Sequence, residues 1–196
     1  YGGSFNYNGN GDNFNRTLAG TLRTDFALSF WINSSQAPNS QRRIVELAQA
    51  ATVGFQICMD SQGTIIIDNT GPASNIMSGI KVNDSNWHHV TAMRNGSNYS
   101  LYVDGILKNS STGSMHNYTR LFIGIHSDTS TGLNYSGDID EFYLWNRSLT
   151  AREVQQFYMT NLYKYNSTQW YLTVNQSKNA TTPLEKGSYT YLIYVQ

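Results

Sequence analysis

Apolar side chains recur at every second residue along much of this chain, and a period of two permits one element only, a strand with one buried face. Phe26, Leu28, Phe30 and Ile32 alternate with Ala27, Ser29, Trp31 and Asn33. The same pattern returns in Val53-Phe55-Ile57-Met59, in Tyr99-Leu101-Val103 and in Leu121-Ile123-Ile125, while Thr64-Ile65-Ile66-Ile67 reads as buried on both faces. Asn, Gly and Ser separate these runs. Short strands at this spacing, in a chain of 196 residues, predict an all-β sandwich around one core.

One helix is expected among the strands. Thr150-Ala151-Arg152-Glu153 is a capping box, in which the Thr150 hydroxyl accepts from the Glu153 amide and the Glu153 carboxylate reaches back. Val154, Phe157, Tyr158 and Asn161-Leu162 follow at helical spacing, so a helix of about three turns should lie on the sandwich as a structural element.

Charge excludes whole classes of function. Only 13% of residues are charged, against about 25% in ordinary globular domains, and 13 basic residues balance 13 acidic ones. Nucleic-acid binding needs clustered Lys and Arg and is not expected. No apolar run approaches the roughly 18 residues of a membrane helix.

Solubility rests instead on 21 Asn, 21 Ser and 18 Thr. The glycosylation acceptor pattern Asn-x-Ser/Thr occurs twelve times, at Asn15, Asn33, Asn83, Asn95, Asn98, Asn109, Asn117, Asn134, Asn146, Asn166, Asn175 and Asn179. Random placement would give roughly 4 matches. The turn preference of Asn and Ser accounts for some of the excess, and an exported, heavily N-glycosylated chain accounts for the rest. Asn95, Asn98, Asn109, Asn117 and Asn134 flank predicted strands and should occupy exposed turns. Cys58 is the only cysteine, so no intrachain disulfide forms. A disulfide-free, sequon-dense, Tyr-, Asn-, Ser- and Thr-rich chain with few charges resembles archaeal cell-surface proteins, and Tyr1 is expected to be a processed end or an internal boundary.

An ordered set of blocks carries a more specific resemblance. The hairpin-like Phe5-Asn6-Tyr7-Asn8-Gly9-Asn10-Gly11-Asp12-Asn13-Phe14 precedes Phe26 to Ile32, Trp87-His88-His89-Val90-Thr91 and Leu101-Tyr102-Val103-Asp104-Gly105. Ile123-Gly124 and Gly137-Asp138-Ile139-Asp140-Glu141-Phe142, running into Asn146-Arg147-Ser148-Leu149-Thr150, complete the set. In order and spacing, residues 1–162 resemble the laminin-G-like (concanavalin A-like) jelly-roll domains. The resemblance implies two antiparallel sheets packed face to face, a fold that lectins, pentraxin-like modules, glycosidases and purely structural domains share.

Residues 163–196 are expected to form a C-terminal extension. Trp170 to Val174 and Tyr189 to Val195 read as strands, and a stretch this short cannot bury a core of its own. The last run, with Tyr189, Tyr191, Leu192, Ile193, Tyr194 and Val195, is strand-forming throughout and apolar on both faces. It needs a host sheet, in a neighbouring subunit or domain, with folding back onto its own sandwich as the alternative.

The acids near residue 140 are the candidate site. By alternation, Asp138 and Asp140 share one strand face and Glu141 takes the other. A retaining glycosidase needs two carboxyls about 5 to 5.5 Å apart, and such enzymes of this fold space them four residues apart on one strand. Four residues after Asp138 stands Phe142, and after Glu141 stands Trp145, so no enzyme is expected. No cofactor is required. A structural calcium is the one metal considered, with Asp12, Asp138 and Asp140 as first ligands, because the family's topology sets the terminal strands side by side. His88 and His89 point to opposite sheet faces and cannot share one zinc. Trp31, Tyr102 and Trp145 are weighed as sugar-stacking platforms against packing beneath the helix.

Two functions follow. The first is a non-enzymatic, N-glycosylated extracellular subunit of an archaeal surface filament or layer, homopolymeric through strand exchange, with N-linked glycans as partners. The alternative is a carbohydrate-binding or adhesion module of a larger cell-surface protein.

Overall fold

The computed structural model describes residues 4–50, 53–69, 76–113, 116–127, 132–164 and 170–174. Asn166, Asn175, Asn179 and the joint residues Tyr189 to Val195 lie outside the described residues. Two antiparallel sheets of six strands face each other. The first runs in the order β1 (Phe5–Asn8), β12 (Ser136–Trp145), β3 (Phe26–Asn33), β8 (Trp87–Asn95), β9 (Asn98–Val103) and β10 (Ile106–Thr112). The second runs β2 (Phe14–Leu22), β11 (Tyr118–Ile123), β4 (Arg42–Ala50), β5 (Val53–Met59), β6 (Thr64–Asn69) and β7 (Ile76–Lys81). The expected jelly-roll sandwich is therefore the fold.

Alternation places the core where the sequence predicts it. Phe26, Leu28, Phe30 and Ile32 of β3 meet Phe55, Ile57 and Met59 of β5 between the sheets, all fully buried. Phe26 packs edge-on against Phe55 and Tyr118 at 5.0 and 5.7 Å, geometry that suits the ring quadrupoles. At that end Arg94 is buried too. Its guanidinium lies 5.2 Å from the Phe26 ring and donates to the carbonyls of Thr24 and His116, so the charge is hydrogen-bonded rather than stranded.

The outer face of the first sheet is also covered. Ala27 of β3 and Met93 of β8 pack with Tyr102, Leu149 and Val154 in a second apolar cluster, because α1 (Ala151–Met159) lies across them. The capping box forms: Glu153 N donates to Thr150 Oγ1 at 3.2 Å, and Thr150 N donates to Glu153 Oε2 at 2.8 Å. The helix stops earlier than its spacing suggests. Thr160–Lys164 is strand β13, paired antiparallel with β14 (Trp170–Val174), so Asn161 and Leu162 belong to a hairpin. Local periodicity over those two residues fits either element, and pairing with Thr173 and Leu172 decides it.

A bulge shapes β12. Asp140 is opposite Trp31 and Tyr143 is opposite Ser29, so Glu141 and Phe142 together oppose Phe30. Glu141 takes a left-handed φ of 49° to make this possible. Phe142 keeps the core side, stacked 5.9 Å from Phe30.

Candidate functional site

A cavity of about 440 Å³ opens between the outer face of the first sheet and α1. Ser29 and Trp31 of β3, His89 of β8, Glu141 and Tyr143 of β12, and Gln156 and Phe157 of α1 line it. The β12 bulge is what brings Glu141 here. Simple alternation sets that residue opposite to Asp138 and Asp140, and the inserted residue returns it to the outer face.

Rings form much of the wall. Trp31 stacks on Tyr158 with centroids 5.8 Å apart and lies 5.3 Å from His89. Phe157 packs against Trp145 at 4.8 Å and Tyr143 at 5.9 Å. Tyr143 stays exposed at the mouth. Of the three aromatic residues weighed as stacking platforms, Trp31 lines the cavity, Trp145 supports its wall, and Tyr102 is buried under the helix. Tyr143 and Phe157 complete the aromatic surface. Their signal in the sequence was present but ambiguous, since each equally suits packing.

The polar groups are individually placed. His89 is 1% exposed, with Nε2 2.7 Å from Ser29 Oγ and no hydrogen-bond partner at Nδ1. Burial depresses its pKa to about 4, so the ring is neutral at pH 7. Burial, helped by the negative charge of Asp140, raises the Glu141 carboxyl. Ser29 and His89 have the spacing of a nucleophile and its base; among the described residues Nδ1 has no hydrogen-bond partner, and the negative charge of Asp104 opposes the effect of burial on the ring.

His88 points the other way, as alternation requires. Its Nδ1 and Nε2 lie 2.9 and 3.1 Å from carboxylate oxygens of Asp104 and Asp84. The hydrogen bond to Asp104 leads in raising its pKa. Asp104 occupies the two-residue β9–β10 turn with Gly105, at φ 52° and 73°, and its second oxygen accepts from His89 N at 3.0 Å. The tandem histidines are thus one anchored ion-pairing group and one neutral cavity wall.

The acids considered for calcium are kept apart in role. Asp138 Oδ1 accepts from Asn6 Nδ2 at 2.8 Å across the β1–β12 pair, Asp12 Oδ2 accepts from Asn8 N at 3.2 Å, and Asp140 Oδ1 accepts from Glu141 N at 2.8 Å. Among the described residues no three His, Cys, Asp or Glu side chains gather as a metal-binding group. A second buried polar network, on β4 and β5, is spoken for: Glu46 accepts from the Ser127 amide and hydroxyl at 2.8 and 2.9 Å and from Gln56 at 3.3 Å. It pins the chain after β11 to the sheet.

The acceptor asparagines divide by exposure. Asn15, Asn95, Asn98, Asn109, Asn117 and Asn146 are exposed, whereas Asn33 and Asn83 are half-buried and donate to the carbonyls of Ser85 and Gln36. Asn134, expected on an exposed turn, is 3% exposed. It bridges to Arg43, and Tyr135 N donates to Gly124 O, so this segment docks on the sheet.

Facing six-stranded sheets with one helix packed across the outside define a concanavalin A-like sandwich. The chain belongs to the concanavalin A-like lectin/glucanases superfamily, through a laminin G family profile that matches residues 8–155. Among curated proteins, none matches the sequence. Solved structures similar in fold include a heptameric SAP-like pentraxin from Limulus polyphemus, at 16% identity and TM-score 0.60, covering 78% of this chain and 77% of that one. Mouse laminin alpha1 domains LG4-5 are similar at 14% identity and TM-score 0.61, covering 76% and 44%. Trypanosoma rangeli sialidase in complex with sialic acid is similar at 15% identity and TM-score 0.67, covering 79% of this chain but only 27% of the enzyme. No helix among the described residues is long and apolar enough to cross a membrane.

Proposed function

We propose that the chain is a non-enzymatic carbohydrate-binding or adhesion module of an extracellular, N-glycosylated surface protein of archaeal type, and that the cavity under α1 takes the sugar. One observation carries this reading: aromatic faces from Trp31, Tyr143 and Phe157 surround separate polar groups on Glu141, Gln156 and His89 in one cavity. Rings stack on the apolar face of a pyranose, while a carboxyl and an amide select its hydroxyls. The acidic Glu141 favours a neutral or amino sugar over an acidic one. Titration calorimetry against neutral, amino and acidic oligosaccharides tests it. Binding of a neutral or amino sugar, weakened at least tenfold in both Glu141→Gln and Gln156→Ala with unchanged circular dichroism, is expected. Binding unchanged in both variants would remove the cavity from the function.

A second reading is a homopolymeric surface filament or layer built from such modules. Its support is a sheet edge that is partly unpaired among the described residues, with exposed apolar side chains beside it, together with a C-terminal sequence whose composition suits strand exchange.

A further inference from the structure

Among the described residues, the edge of the first sheet is paired along only part of its length. β1 is four residues long and pairs only with Ser136 to Ile139, whereas β12 continues to Trp145. Among the described strands none pairs with Asp140 to Trp145 on that side. Across the sandwich the inward row of β2 is correspondingly uncovered, with Phe14 46% exposed and Leu18 only half-buried. Phe142 and Leu144 of β12 are left partly buried in the same way. A groove of about 540 Å³ lies at this seam, walled by Phe5, Tyr7, Phe14, Ile123, Ile139 and Phe142, and Phe5 is 72% exposed.

Such a seam takes a β-strand, because only a strand satisfies a free ladder edge and fills a two-walled apolar groove at once. The chain itself contains a matching segment. Twenty-two residues follow Val174, and among them Tyr189 to Val195 carries no charge, no proline and apolar or aromatic groups on both faces. Its seven residues match the six of Asp140 to Trp145. The geometry points to this seam as the acceptor for the Tyr189–Val195 strand of a second copy. The inference rests on the assembly reading above and names its joint. Each copy then offers one groove and one strand, a head-to-tail contact that does not close and so propagates.

A complementation experiment on the full chain tests this. Phe14→Glu spoils the groove at an exposed position, and Ile193→Asp spoils the strand. In analytical ultracentrifugation the unaltered chain should form large assemblies, and each variant alone should be monomeric with unchanged near-UV circular dichroism. An equimolar mixture of the two variants should give dimers only, since one intact strand then meets one intact groove. A synthetic peptide of residues 187–196 should bind Ile193→Asp and bind Phe14→Glu at least tenfold more weakly. If the unaltered chain and both variants assemble alike, the joint lies elsewhere while the assembly reading stands. If the unaltered chain is monomeric, the assembly reading itself falls. A mixture that stays monomeric overturns the pairing of this strand with this groove.

Discussion

The Ser29 hydroxyl and His89 Nε2 lie 2.7 Å apart on neighbouring strands beneath α1, and burial there keeps the imidazole neutral in the wall of the cavity. The consequence is a pH dependence of known sign. His89 titrates at about 4 in the fold, against about 6.5 unfolded, so the unfolded chain binds the extra proton between those values. Stability contributed by the neutral ring is full above pH 6.5 and is lost as pH falls to about 4, amounting to about 3 kcal/mol. Urea unfolding at pH 7 and pH 4 should show a larger acid loss in the unaltered protein than in His89→Gln. Equal losses would mean that the ring is not buried neutral.

His88 acts in the opposite sense. Its protonated form is held chiefly by Asp104, which raises the folded pKa above the unfolded value of about 6.5. The stability it contributes is complete below that pH and disappears as pH rises through the folded pKa. The imidazole proton resonances of His88 and His89 should therefore titrate in two well-separated steps, His88 above about 6.5 and His89 near 4. Asp104→Asn should lower the upper step, and a single shared step near 6.5 would contradict the assignment.

Cys58 should be inert in the folded protein. It is fully buried beside Arg43, whose Nη1 lies 2.8 Å from Sγ, and burial still pushes the thiol up to about 12. The thiolate is the reactive form. Ellman's reagent should detect no thiol in native protein at pH 8 and one after unfolding in guanidinium.

Glycan occupancy should follow exposure. Peptide mapping of native material should find Asn15, Asn95, Asn98, Asn109, Asn117 and Asn146 modified, and Asn134 bare, because a bulky glycan cannot be accommodated at a side chain packed on the sheet. A fully occupied Asn134 would require the segment to leave the sheet, or to be modified before folding.

Much of the fold was legible in the sequence, and less of the site. Alternation in β3, the capping box at Thr150 and the opposite directions of His88 and His89 all survive in three dimensions. Trp31 is a candidate from the sequence, but the cavity is not legible there, since the helical spacing of Val154, Phe157 and Tyr158 indicates only packing on the sheet. Gln156 and Phe157 carry no short-range signal that separates lining a cavity from covering a sheet.

What this sequence determined by itself are the features set by near neighbours: a period of two that buries one strand face, a turn at Asp104-Gly105, a hydroxyl and a carboxylate three residues apart that cap a helix. Each depends on backbone geometry and hydrogen bonds within a few residues, so each can be read locally. The tertiary structure alone decided that Glu141 joins His89 and Trp31, that Asn134 is buried, and that β12 outruns β1. These follow from which distant strands pair and in what register, where one inserted residue reverses a side chain's face and neighbouring strands can differ in length.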